Sequence, residues 1–200
     1  MPMWPSGSRC AARAGRCSAP GVFPPANGPQ SASAAPLVVT AELPPDIQAL
    51  ADRLRREHYP VERNQLPAHV TLFHALPPWC EDELRDALGA LARAHRRPRA
   101  RLEGVMPLGS GTALRLSSPE MLGLRAELAD RFHGMLTAQD NHPPRLHVTI
   151  QNKVSPREAK ALQAALTASL EPRDFAFAGL VMHAYRGGPW ELLKRSPFRS

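Results

Sequence analysis

Two hundred residues, 43% of them hydrophobic and 22% charged, suffice for one domain or two small lobes around a buried core. No apolar run approaches the ~18 residues of a membrane span, so no transmembrane helix is predicted. The net charge is +7, of which Arg9, Arg13 and Arg16 supply three; the mildly basic remainder suits a phosphorylated or polyanionic ligand without requiring one.

Residues 1–36 hold seven prolines and no acidic residue. They read as a disordered extension or as the product of a misassigned start, although their Arg- and Ser-rich character also has a transit-peptide flavour. The folded part is therefore expected over residues 37–200. "LVVTAEL" reads as a short β-branched strand, and "PPDIQALADRLRRE" as a helix with Ile47, Leu50 and Leu54 at helical spacing. "HVTLFHAL" is a predicted strand ending at Pro77-Pro78, and "EDELRDALGALARAH" a helix with Leu84, Leu88 and Leu91 on one stripe. "RARLEGVMPL" and "GTALRLSS" read as two strands joined by a "GSG" turn. A long amphipathic helix, "PEMLGLRAELADRFHGML", opens the second half, and the loop "TAQDNHPP" leads into a strand containing "HVTI". Cys10, Cys17 and Cys80 are too few and too scattered for a disulfide framework or a zinc site, which fits a reducing compartment and predicts the cytoplasm.

Shifting the chain by 78 residues lays His69, Val70 and Thr71 on His147, Val148 and Thr149. Leu72 then meets Ile150, Pro78 meets Pro156, and Leu84 and Leu88 meet Leu162 and Leu166. With small gaps "EGVM" resembles "AGLVM", and "GTALRLSSP" resembles "GPWELLKRSP". This is an internal duplication of a helix–strand–helix–strand–strand unit. Two copies predict an α+β protein with two similar lobes, since a solenoid needs at least three.

On a strand, residues i and i+2 share a face. His69 and Thr71 therefore project together, with Phe73 beyond them, while Val70 and Leu72 face the core. His147 and Thr149 repeat the arrangement. If the lobes are related by a pseudo-two-fold axis, two imidazoles and two hydroxyls converge on one cleft. Cleavage of a phosphodiester needs a base for the attacking oxygen and an acid for the leaving oxygen, on opposite sides of phosphorus. Histidine titrates near neutrality and can serve as either. Hydroxyls can hold the non-bridging oxygens as charge develops there. A single strand histidine is more often a packed or surface residue, and His58, His74, His95, His133, His142 and His183 are read so. No HExxH, His-x-His or acidic cluster is present, and no metal or other cofactor is expected. Arg63, in "VERNQLPAH", is a candidate phosphate or RNA contact, and Lys153 adds positive charge on the His147 face. Phe73 either stacks a base or fills the cleft floor. Tyr185 and Trp190 flank a glycine turn, where they line the cleft mouth or, for Trp190, pack in the core.

With "HVTL" and "HVTI" as its paired motifs, the chain resembles the two-histidine (2H) phosphoesterases over roughly residues 37–200. Within them it is most similar to the 2′-5′ RNA ligase-like group, which includes bacterial RNA 2′,3′-cyclic phosphodiesterases. Its ending, "YRGGPWELLKRSPF", also resembles that of bacterial members. The resemblance implies a two-lobed, internally duplicated fold, with antiparallel sheets around a central cleft and helices outside. It implies an RNA end with a 2′,3′-cyclic phosphate as substrate, hydrolysed to a 2′-phosphate, with 2′-5′ ligation as the reverse sense. On that pattern His69 protonates the departing 3′ oxygen, His147 activates water, and Thr71 and Thr149 bind phosphate oxygens. A monomer acting without a membrane is expected. A phosphodiesterase for a small cyclic or 2′-5′-linked nucleotide and a low-turnover RNA-binding module are the alternatives.

Overall fold

The computed structural model describes residues 35–200. Cys10, Cys17 and the extension expected before Leu37 lie outside the described residues, except for Ala35 and Pro36. Those two already belong to the fold: Ala35 is buried, and the Pro36 carbonyl accepts the Tyr185 amide at 3.0 Å. Because Ala34–Ser200 forms one compact unit, removing residues 1–33 is expected to leave the melting temperature unchanged; a lower value would give them a part in the fold.

Strand β1 (Leu37–Glu42) runs through two prolines into helix α1 (Pro45–His58). Strand β2 (Val70–Leu76), helix α2 (Glu81–Ala94) and a hairpin of β3 (Arg99–Pro107) and β4 (Thr112–Ser117) follow. Helix α3 (Pro119–Arg131), β5 (His147–Gln151) and α4 (Pro156–Ser169) come next. Strand β6 (Arg173–Ala176) and a hairpin of β7 (Gly179–Ala184) and β8 (Glu191–Pro197) complete the chain. Three of the four helices begin on a proline, which has no N–H to leave unpaired and a φ already suited to the first turn. Ser118 caps α3, and Ser155 with Glu158 forms a capping box on α4. Helix α3 is shorter than its hydrophobic pattern suggests: it stops at Arg131, and Gly134 then turns the chain at φ 81°.

The strands form two antiparallel four-stranded sheets, ordered β2-β1-β7-β8 and β5-β4-β3-β6. The fold is duplicated and two-lobed, with one sheet to each lobe, but the lobes do not coincide with the two halves of the sequence. Strand β7, from the second half, pairs with β1 along its whole length, from Leu37 opposite Ala184 to Glu42 opposite Gly179. Each sheet is thus built from both halves. The sequence match between "GTALRLSSP" and "GPWELLKRSP" is also corrected. Strand β4 lies inside its sheet next to the motif strand β5, the place that β1 holds beside β2, whereas β8 is an outer edge. Burial follows position: β1 and β4 are mostly buried, and β8 is mostly exposed. The true counterparts are "LVVTAELPPD" and "TALRLSSPEM", each an apolar strand leading to a proline at the start of a helix. One apolar cluster, including Ile47, Leu72, Leu88, Leu114, Val148 and Met182, joins the sheets and helices. The exchange leaves β2 and β5 as outer strands that approach each other.

Candidate active site

His69 immediately precedes β2 and His147 opens β5, so both imidazoles stand at the start of an outer strand. They are braced alike. His69 Nδ1–H donates to the Pro67 carbonyl at 2.8 Å, and His147 Nδ1–H donates to the Arg145 carbonyl at 2.7 Å. A carbonyl oxygen can only accept, so each Nδ1 carries the proton. Each neutral ring therefore keeps its lone pair on Nε2, the atom left for chemistry. Thr71 and Thr149 are half-buried, between the buried Val70 and Leu72 and between the buried Val148 and Ile150, as strand alternation requires. His69 and Thr149 line a cavity of about 470 Å³.

Burial pushes the His69 imidazole down to about 4. The Pro67 carbonyl opposes that shift, while positive charge on Arg55, His183 and His147 reinforces it. His69 is therefore neutral at neutral pH, with a vacant Nε2. Trp190 packs against it, ring centroids 4.6 Å apart, and against His183 at 5.5 Å, both tilted by about 50°. His183 is itself held low by burial and then by Arg195, and its Nε2 lies 3.3 Å from Thr40 Oγ1.

The loop before His69 is held by one polar stripe of α1, at positions i, i+4 and i+7. Gln48 Nε2 donates to the Ala68 carbonyl at 2.9 Å, and Asp52 accepts the Ala68 amide at 2.6 Å. Arg55 donates to the Leu66 carbonyl at 3.1 Å and to the Thr149 carbonyl at 2.7 Å. Arg55 thus ties the first motif to the second. It is 4% exposed, stacks on Tyr59 at 4.3 Å, and spends its guanidinium on carbonyls rather than on a carboxylate. Its charge remains available to an anion in the cavity that it lines. Sequence reasoning missed it, because "RLRRE" resembles any solvated basic run. The signal was the polar stripe Gln48–Asp52–Arg55, lying beside the apolar one.

Other expectations divide. Arg63 ends a 3-10 turn, Val61–Arg63, and lines the cavity with Tyr185 and Trp190. Phe73 cannot stack a base: it is fully buried, under the Arg125 guanidinium at 4.5 Å. The register between β1 and β2 slips between Val39 opposite Phe73 and Thr40 opposite Thr71. The extra β2 residue breaks the alternation, so Leu72 and Phe73 are buried in succession and His74 turns outward. Lys153 does not share the His147 face. Strand β5 ends at Gln151, and Lys153 sits beyond it at φ 59°, exposed and outside the cavity lining. Among the described residues no group of three or more His, Cys, Asp or Glu is gathered as metal ligands, and no helix is long and apolar enough to cross a membrane.

Residues 43–189 match the family model of the 2′-5′ RNA ligase superfamily. The crystal structure of TT0787 of Thermus thermophilus is similar at a TM-score of 0.57 and 15% identity, covering 82% of this chain and 98% of that one. E. coli LigT complexed with 3′-AMP gives a TM-score of 0.51 at 20% identity, covering 83% and 99%. These identities speak to a shared fold, the α+β arrangement of two antiparallel sheets. No curated protein sequence matches the chain.

Proposed function

The chain belongs to the 2′-5′ RNA ligase superfamily, and from that premise we propose that it hydrolyses the 2′,3′-cyclic phosphate of an RNA end to a 2′-phosphate. The observation that carries this reading is the matched pair of carbonyl-braced imidazoles on facing outer strands, each with Nε2 free of the brace. Water attacks phosphorus and gives a proton to one Nε2. The P–O3′ bond breaks, and O3′ takes a proton from the other. Thr71 and Thr149 hydroxyls donate to the non-bridging oxygens, with Arg55 supplying positive potential from below.

The resemblance assigns His69 as acid and His147 as base. We propose that order for hydrolysis: burial holds the His69 imidazole low in the free protein, but a pair that shares one proton takes its roles from where the substrate's oxygens lie, not from the resting state of one ring. The reaction needs no metal in this scheme. The test is purified protein with a cyclic-phosphate-ended oligonucleotide in chelator, with the position of the product phosphate determined. A 2′-phosphate product supports the reading; activity lost in chelator and restored by zinc or manganese overturns the metal-free scheme. A small cyclic nucleotide is the second substrate to assay, because the similar E. coli LigT structure is complexed with 3′-AMP. The proposal includes a monomer, which gel filtration tests, and a cytoplasmic location, which fractionation of cells tests.

Thr71→Ala and Thr149→Ala are each expected to lower kcat by about 10²–10³ if each hydroxyl meets charge that develops in the transition state. The melting temperature should hardly move, since both side chains are only half-buried. Normal activity with a large loss of melting temperature would make them structural.

A further inference from the structure

A second groove, of about 590 Å³, begins at the residues just before His147; Arg115 and Arg145 line it, over an apolar floor of Met106, Leu122 and Leu146. We propose that this groove carries the RNA strand that leads to the reacting end, with Arg115 and Arg145 holding its next backbone phosphate. The inference rests on the phosphoesterase reading and adds the length of the substrate: an oligonucleotide rather than a mononucleotide.

Strand register places the groove against the site. Arg115 on β4 stands directly opposite His147 on β5, and directly opposite residues of an antiparallel pair project to the same face. Farther across the sheet Arg101 on β3 stands opposite Ser117, and a cavity lined by Arg99, Arg101 and Ser117 continues the groove. Arg115 Nε lies 3.0 Å from Glu103 Oε2, and Arg101 donates to Asp174 at 2.7 Å. Both pairs are open to water, where such pairs hold weakly and an arginine can turn to a phosphate instead. Arg145 is exposed, and its guanidinium joins no ion pair among the described residues.

The first motif has a cavity in the corresponding place, with the opposite chemistry. Glu42 follows Ala41, which pairs with Val70, so a carboxylate stands beside His69 where an arginine stands beside His147. That cavity, of about 520 Å³, is lined by Glu42 and Asp52, and its one arginine, Arg195, already donates to Glu42 at 2.8 Å. A polyanion leaving the cleft is repelled along the first path and drawn along the second. The apolar floor between the arginines of the second path suits the sugar and base that lie between successive phosphates.

The experiment compares KM for a short oligonucleotide ending in a 2′,3′-cyclic phosphate with KM for adenosine 2′,3′-cyclic phosphate, at several salt concentrations. At low salt the parent protein should favour the oligonucleotide by about tenfold or more, the worth of one charge-assisted contact. Arg115→Gln should erase most of that ratio and lower the slope of log KM against log salt for the oligonucleotide by about 0.7, one phosphate contact on a single strand. Arg115→Lys, which keeps the charge, should keep most of the slope. If Arg115→Gln does not fold, Arg145→Gln carries the same comparison, since the carbonyl that braces His147 belongs to the backbone. Equal KM values for the two substrates in the parent overturn the inference, as does a glutamine variant that keeps both ratio and slope. If the parent turns over neither substrate, the phosphoesterase reading fails. Fluorescence anisotropy of a labelled oligonucleotide ending in a 2′-phosphate then decides the groove by itself: salt-dependent binding weakened in Arg115→Gln supports it, and binding unchanged in that variant overturns it.

Discussion

Replacing either His69 or His147 by alanine is expected to lower kcat on a 2′,3′-cyclic phosphate by about 10²–10⁴, the usual worth of a positioned proton-transfer group. The double mutant should be little worse than the poorer single mutant, because one imidazole cannot complete the displacement without the other. The folds should survive, since both side chains are only half-buried and their braces run to carbonyls two residues away. Single-turnover kinetics with the melting temperature of each variant checks this. If both single mutants keep activity within a few-fold of the parent, the paired motif is scaffold and the proposed chemistry is wrong.

The second large effect separates the two roles. With His69 neutral in the free protein, kcat/KM should be retained at neutral pH and lost as pH falls through about 4, where its Nε2 becomes protonated. That limb by itself does not say which histidine is base, because a pair carrying a single proton gives the same profile whichever ring holds it. A better leaving group does. A 4-nitrophenyl phosphodiester needs no acid, so it should restore turnover to His69→Ala and leave His147→Ala inactive. Rescue of His147→Ala alone would give the acid role to His147 and keep the mechanism. The profile of each variant supplies the check: His69→Ala should lose the limb near 4.

Much of the site was legible in the chain because strand alternation is a local rule. His-x-Thr on an apolar strand puts both polar groups on one side whatever surrounds them, and a second copy 78 residues on points to a shared face. The helices were equally legible from their apolar stripes and their starting prolines, since both depend on neighbours within a turn or two. Three features were decided only in the tertiary structure. The halves exchange strands, because the pairing partner of an apolar strand is chosen by the sheet it can complete, and α2 of the first half packs against β7 and β8 of the second. The slip opposite Val39 reverses the facing of Phe73 and His74, because one extra residue in a pairing shifts the side chains beyond it to the other face until a second slip, before Leu37 opposite Leu76, turns Leu76 back inward. Arg55 changes from a surface charge to the buried tie between the motifs because its acceptors, Leu66 and Thr149, are 11 and 94 residues away. Local periodicity thus determined which residues stand on which side of each element. Long-range pairing decided which of those sides meet, since that depends on hydrogen-bond partners no short window of sequence contains.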